Sequence, residues 1–375
     1  MARPLNEPES IAVATVATQT LPQLVRASDT NSRAVDWIWD DWLACGKLHL
    51  IAGAPSLAKT TIALKFAATV TTGGTWPDGK KGTEAGDVVI WSGEDGIDDT
   101  LIPRLKAMGA DLSRVHFVKG IPDVNGGQMP FDPAKDMPAL SNAVTELSNL
   151  KLLIIDPVVS AVPGDSSNSS KVRRGLQPLV DFAEKFKAAV IGITHFSRGT
   201  SGREPLDRVN GSIAFGALAR LVFGVAKLKD KDDKEFRVFV RIKNNIGPDG
   251  GGFRYTVEHV DIGGGVIGSK VVWGDPIEGT AMDIFQNDSV AGEVGVVNAP
   301  GNAYQLLQLL LKDGPIDAKE AILKAEGHGF SKRAMQRAAQ RLGVVRQKDG
   351  MHGPWRWHLP LAASNSPDDN QGATS

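Results

Sequence analysis

The stretch "GAPSLAKTT", residues 53–61, ends in a lysine and two hydroxyl side chains, the residue types that hold a polyphosphate and its metal ion. It follows the apolar run "KLHLIA" and precedes "IALKFAATV", which reads as a strand, a turn and a helix. In that setting the loop residues Gly53, Ala54, Pro55, Ser56, Leu57, Ala58 and Thr61 surround a phosphate site, all but Pro55 with a backbone N–H to offer. The helix N-terminus adds positive potential. Lys59 reaches the β- and γ-phosphates of ATP, and the Thr60 hydroxyl ligates Mg²⁺. The loop departs from Gly-x4-Gly-Lys-[Ser/Thr], because Ala58 stands at the second glycine. A methyl there is harmless at negative φ and costs ~1–2 kcal/mol at positive φ. Two readings stay open, a working nucleotide site and a degenerate one.

Partners for such a loop belong at neighbouring strand ends, where open α/β sheets bind ligands. "KLLIIDP" ends in Asp156, placed to hold Mg²⁺ through water. "VVIWSGEDG" puts Glu94 and Asp95 at another strand end. Glu94 either polarises the attacking water or caps the next helix. "AVIGITH" ends in His195, which either bonds the γ-phosphate or is an ordinary loop histidine.

Several elements must position these residues. Apolar runs such as "DVVIWSG", "KLLIIDP" and "AAVIGITH" are continuous rather than alternating, as in strands buried on both faces. They alternate with helical stretches, which predicts parallel βαβ units. The fold class expected is α/β with a mostly parallel central sheet, of the P-loop NTPase kind. The chain of 375 residues is 42 % apolar and 23 % charged, within the range of globular proteins. Its net charge of −1 exerts no overall pull on nucleic acid or membrane. A single cysteine, Cys45, rules out an internal disulfide and fits a reducing, cytoplasmic setting. "MARPLNEPES" lacks a signal peptide's apolar core, and no run is long enough to span a membrane.

The expected organisation is a flexible tail over 1–33, an ATPase domain over 34–273 and a linker over 274–300. A small domain over 301–361 and a disordered tail over 362–375 complete it. The small domain reads as three short helices and two β-like runs, the layout of a winged helix-turn-helix. Gly314, Gly329 and Gly343 stand at helix C-caps and Ser331 at an N-cap. Residues 301–361 hold ten Lys/Arg against five Asp/Glu. Lys332, Arg333, Arg337, Arg341, Arg346 and Lys348 follow one another with no acid between, and Arg333, Arg337 and Arg341 share one helical face. Such a face reads duplex DNA, or it is the solvated side of a protein-docking module. Trp355 and Trp357 are expected to anchor the wing on the small core.

With these elements in order, residues 35–260 resemble the RepA-type AAA-family ATPases of plasmids and phages. The resemblance runs through "DWIWDDWLACGKLHLIAG", "VVIWSGEDGIDDTLIPRL", "LLIIDPVVSAVPGDS", "ITHFSRGTSG", "GSIAFGALAR" and "KNNIGPDGGGF". It implies a RecA-like core and a homo-hexameric ring with ATP and Mg²⁺ clamped between neighbours. The family also implies catalytic roles for Lys59, Glu94 and His195. It suggests that Arg220 is an arginine finger on the next subunit's nucleotide and that Lys243 is a second trans-acting base, against ordinary salt-bridging at a subunit face. Two loops would line the ring and track single-stranded DNA, "VPGDSSNSSKVRR" and the loop carrying Arg198, Arg203 and Arg208, unless they only connect elements. Phe196 and Phe215 are the aromatic residues available there for base stacking. The family usually has glycine at positions 56 and 58, and often a histidine where "SNSS" stands. The function implied is a replicative helicase or loader of a mobile element. An ATP-switched DNA-binding regulator and a nucleotide-binding scaffold remain the alternatives.

Overall fold

The computed structural model describes residues 24–123, 126–197, 200, 203–209, 213–229, 234–286, 303–312, 314–327, 332–348, 353 and 355–359. The chain divides into two units, residues 1–35 and 36–375. In the first, residues 24–35 are exposed and carry one turn of 3-10 helix, Ala27–Asp29.

The second unit opens with a tight pair of strands, β1 (Trp37–Trp39) and β2 (Leu43–Ala44). Then come β3 (Leu48–Gly53), α1 (Lys59–Thr72), β4 (Asp87–Ser92), α2 (Ile102–Ala107) and β5 (Val115–Phe117). A short ribbon, β6 (Ile121–Pro122) and β7 (Gln128–Met129), leads to α3 (Met137–Ala143) and β8 (Leu150–Asp156). Next are α4 (Ser169–Phe186), β9 (Ala189–His195) and α5 (Ile213–Leu218). Four long strands follow: β10 (Leu221–Lys229), β11 (Glu235–Asn244), β12 (Gly252–Asp261) and β13 (Ile267–Ile277).

Nine of these strands form one sheet in the order β13-β12-β11-β10-β3-β9-β8-β4-β5. The pairs from β10 through β5 are parallel, and those from β10 to β13 antiparallel. Every residue of β3 is buried, and β8 and β9 nearly so, which fits their unbroken apolar sequences. Residues of α1 and α2 enter the core on one face of the sheet, and those of α3, α4 and α5 the core on the other. Trp39 stacks between Trp42 and Trp76 at centroid distances of 4.8 and 4.9 Å. Such pairs add about 0.5–1.5 kcal/mol each beyond the area they bury.

Strand β13 and helix α6 (Ala281–Gln286) extend into the segment expected to be a linker. Asp275 and Pro276 disguise the end of β13 in the sequence, yet Pro276 still pairs with Phe253. Residues 287–300 lie outside the described residues, as do the two expected tails over 1–23 and 362–375.

The C-terminal elements are α7 (Ala303–Leu311), β14 (Ile316–Asp317), α8 (Ala318–Gly327), α9 (Lys332–Arg341), β15 (Val345–Lys348) and β16 (Trp355–His358). The strands form an antiparallel sheet in the order β14-β16-β15. Leu306, Leu307, Met335, Ala339 and Trp357 make a separate small core. Trp357 anchors this sheet, whereas Trp355 is 55 % exposed, which corrects the expectation that both would pack. Gly314 and Gly343 have φ of 124° and 64°, so both use glycine's freedom, while Gly329 and Ser331 lie outside the described residues.

One core residue has a pH consequence. His49 on β3 is fully buried, accepts from the Ala44 N–H at 3.0 Å through Nε2 and donates from Nδ1 to the Val190 carbonyl at 3.2 Å. Burial pushes its pKa down to about 4, against backbone hydrogen bonds that raise it. The folded state therefore holds a neutral ring. Its contribution is fully present above the ordinary histidine value of ~6.5 and is lost as pH falls toward 4, at about 1.4 kcal/mol per unit. Denaturant titrations of the wild type should lose roughly 3 kcal/mol more across that interval than His49→Gln, whose amide offers one donor and one acceptor and does not titrate. Equal slopes for the two proteins would remove His49 as the cause.

Candidate nucleotide-binding site

Strand register brings the predicted chemistry to one edge. Gly53 at the end of β3 pairs with His195 at the end of β9, and Ser92 at the end of β4 pairs with Asp156 at the end of β8. Because these strands are parallel and adjacent, Lys59, His195, Asp156 and Glu94 all emerge at their carboxyl ends.

The loop itself is anchored to the neighbouring strands. Gly53 lies so near β10 that a Cβ would stand 2.6 Å from the Val225 carbonyl oxygen. Ser56 and Ala58 have φ of 63° and 57°, so both positions that lost glycine keep the left-handed backbone glycine would favour. The fold therefore absorbs the strain rather than reshaping the loop. Leu57 turns its side chain into the main core. Its carbonyl accepts a 2.6 Å hydrogen bond from Tyr255 on β12, which is itself buried. This tether spans 198 residues and has no sequence signature. Restoring glycine at 58 relieves ~1–2 kcal/mol of left-handed strain but adds ~0.4–1 kcal/mol of unfolded-chain entropy. Ala58→Gly should thus stabilise the protein by about 0.5–1 kcal/mol in thermal unfolding. A lower midpoint would show that Ala58 is not strained.

Lys59 is buried at the start of α1 and donates from Nζ to the Ala54 carbonyl at 2.9 Å. Its Nζ also lies 3.2 Å from His195 Nδ1. An ammonium only donates, so Nδ1 accepts and the imidazole proton sits on Nε2. Burial lowers the Lys59 pKa to about 8, opposed by the charges of Asp156 and Glu94. The His195 pKa is lowered, first by partial burial and then by Lys59. Asp156 is 3 % exposed and accepts from the Thr60 hydroxyl at 2.6 Å. Burial raises its pKa to about 6, helped by Glu94 and Asp95 and opposed by the Thr60 bond and Lys59. These are two oxygen donors of the kind magnesium takes. No cluster of three or more His, Cys, Asp or Glu exists among the described residues.

The structure separates the two neighbouring acids. Asp95 is engaged by Arg104 at 2.6 Å, and the backbone N–H groups of Glu94 and Asp95 both donate to Ser92 Oγ. Glu94 is exposed, and its carboxylate has no hydrogen-bonding partner among the described residues.

Other expected residues fall elsewhere. Arg220 is exposed just before β10, and Lys243 on β11 donates to the Gly216 and Ala219 carbonyls at 2.7 and 2.9 Å. Both lie at the opposite end of the sheet, since Leu221 pairs with His49 at the start of β3. The structure does not bring them to Lys59 of the same chain. Arg203 is exposed, while Arg198 lies outside the described residues. Arg208 corrects the expectation of a DNA-facing arginine: it is buried, 4.5 Å over the Phe196 ring and 5.6 Å from that of Phe285. Phe215 is fully buried, so it cannot stack on a base. Arg173 and Arg174 are exposed on the first turns of α4, whose N-cap is Asn168. Lys332, Arg346 and Lys348 are exposed, and Arg333, Arg337 and Arg341 lie along the α9 backbone.

Residues 15–201 match a family described as an AAA domain. No curated protein matches the chain. The crystal structure of a KaiC-like protein from the hyperthermophilic archaeon Pyrococcus horikoshii OT3 is similar at 17 % identity and a TM-score of 0.41, covering 60 % of this chain and 90 % of that one. The family match, taken with the loop and its strand-end partners, supports a nucleotide-binding P-loop NTPase. No helix among the described residues is long and apolar enough to cross a membrane.

Proposed function

We propose that this chain is a Mg-ATP-hydrolysing, ring-forming DNA motor, a helicase or helicase loader in the replication of a mobile element. The observation that carries the hydrolytic part is the convergence of Lys59, Thr60, Asp156, His195 and Glu94 at adjacent strand ends. Lys59 exchanges its bonds to Ala54 and His195 for the β- and γ-phosphates. His195 directs its Nε2–H at the γ-phosphate and reports its departure. Glu94 accepts the proton of the attacking water. Thr60 and Asp156 are the residues that would hold Mg²⁺, which when bound would supply Lewis acidity to the phosphate oxygens.

The distance of Arg220 and Lys243 from their own loop favours a role on a neighbouring subunit, as in a homo-hexamer. We read residues 301–361 as a winged helix-turn-helix, supported by three helices followed by paired strands and by the Arg333, Arg337 and Arg341 spacing on α9. Single-stranded DNA would then pass through the ring and duplex would meet α9.

Phosphate release with and without single-stranded DNA, on a sample of known oligomeric state and alongside a strand-displacement assay, tests this. DNA-stimulated release with displacement is expected. Stimulation without displacement would leave an ATP-switched regulator, and binding without turnover a scaffold. Removal of residues 301–375 should lower duplex affinity at least tenfold and leave the oligomeric state intact. Unchanged duplex binding would refute the winged-helix reading.

A further inference from the structure

A nucleotide seated on the loop has two ends. Thr60, Asp156, His195 and Glu94 all lie on the β9-β8-β4 side of β3, so the reacting phosphate faces that way. The side of β3 left open to the nucleoside end is then the one toward β10 through β13. There the sheet splits. The β11–β12 pairing reaches only Arg237↔Tyr255, whereas β10–β11 continues to Lys229↔Glu235 and β12–β13 to Asp261↔Ile267. Between the diverging hairpins lies a cleft of about 510 Å³.

This cleft sits on the loop's own edge of the sheet. Val225 pairs with Gly53, and Lys227, two residues on, begins the cross-strand row Lys227, Arg237, Tyr255, Trp273. Tyr255 is both a wall of the cleft and the residue whose hydroxyl holds Leu57. Arg237 lines the cleft with a buried Nε that has no hydrogen-bond partner among the described residues. Trp273 supplies an aromatic surface and Asp275 a carboxylate acceptor. An unspent guanidinium donor, an indole and a carboxylate beside a phosphate site are what hydroxyls and ring nitrogens on a flat heterocycle need. We propose that this cleft receives the ribose and base of the nucleotide whose phosphates the loop holds, an assignment that rests on the hydrolytic reading above.

Two variants test it, with ATP and inorganic tripolyphosphate as separate probes by calorimetry. Thr256→Trp fills the cleft from an exposed strand position, and Arg237→Ala removes the buried donor. Each should weaken ATP binding at least tenfold and leave tripolyphosphate binding unchanged. ATP affinity equal to wild type in both variants would overturn the proposal. So would a parallel loss of both probes, or wild-type protein that binds tripolyphosphate as tightly as ATP. Wild-type protein that binds neither probe would instead sink the phosphate-loop reading, and the cleft assignment with it.

Discussion

Lys59→Ala should reduce phosphate release by at least about 10³-fold, to the background of a catalyst-free control. Losing one preorganised donor to a developing charge costs on the order of 10²–10³ in rate, and in the proposed role Lys59 would hold the phosphates in the ground state as well. The side chain is already fixed before any ligand arrives, by Ala54 and His195. Little ordering entropy is therefore lost on binding, and its loss cannot be compensated by a flexible neighbour. The variant should stay folded, because α1 starts from the backbone of its Ala58 N-cap and alanine is at least as good a helix residue as lysine at position 59. Turnover near wild type in a folded Lys59→Ala protein would show that the loop is a relic.

Glu94→Gln is the second large effect. Proton transfer by a positioned side chain contributes ~10²–10⁴ in rate, so hydrolysis should fall by that factor while ATP binding stays within a few-fold. The amide keeps the size of Glu94, and the exposed position makes a change in stability small. Ser92 already accepts from the turn's backbone donors and Asp95 is engaged by Arg104, so the capping alternative leaves nothing for Glu94 to do. A parallel Asp95→Asn variant should weaken the link to Arg104 and leave catalysis less affected. Full activity in Glu94→Gln, or a larger loss in Asp95→Asn, would move the role to Asp95.

Much of this site could be read from the chain, for a physical reason. Parallel strands buried on both faces announce themselves as apolar runs, and each run ends where polar residues begin. Asp156, Glu94 and His195 therefore mark their own strand ends. The positions that escaped reading depend on contacts far apart in sequence. Nothing near Tyr255 tells that its hydroxyl reaches Leu57, and nothing near Arg237 tells that two hairpins part beside it. Arg208 misled for the same reason: a loop arginine looks solvated until Phe196 and Phe285 are seen around it. Trp355 and Trp357 alternate as a strand should, but the small core is deep enough to bury just one of them.

Gly53 shows that glycines in a loop are required for different reasons. At 56 and 58 the demand is torsional, and a side chain meets it at a finite energetic penalty. At 53 the demand is for volume, since two backbones meet with no room between them for a single carbon. A torsional demand can be met gradually, one strained residue at a time. An excluded volume cannot, because any atom placed there forces β3 and β10 apart and misaligns the strand ends that carry the loop. Drift in this loop is therefore tolerated at its crown, at a modest cost in strain, and forbidden at its root.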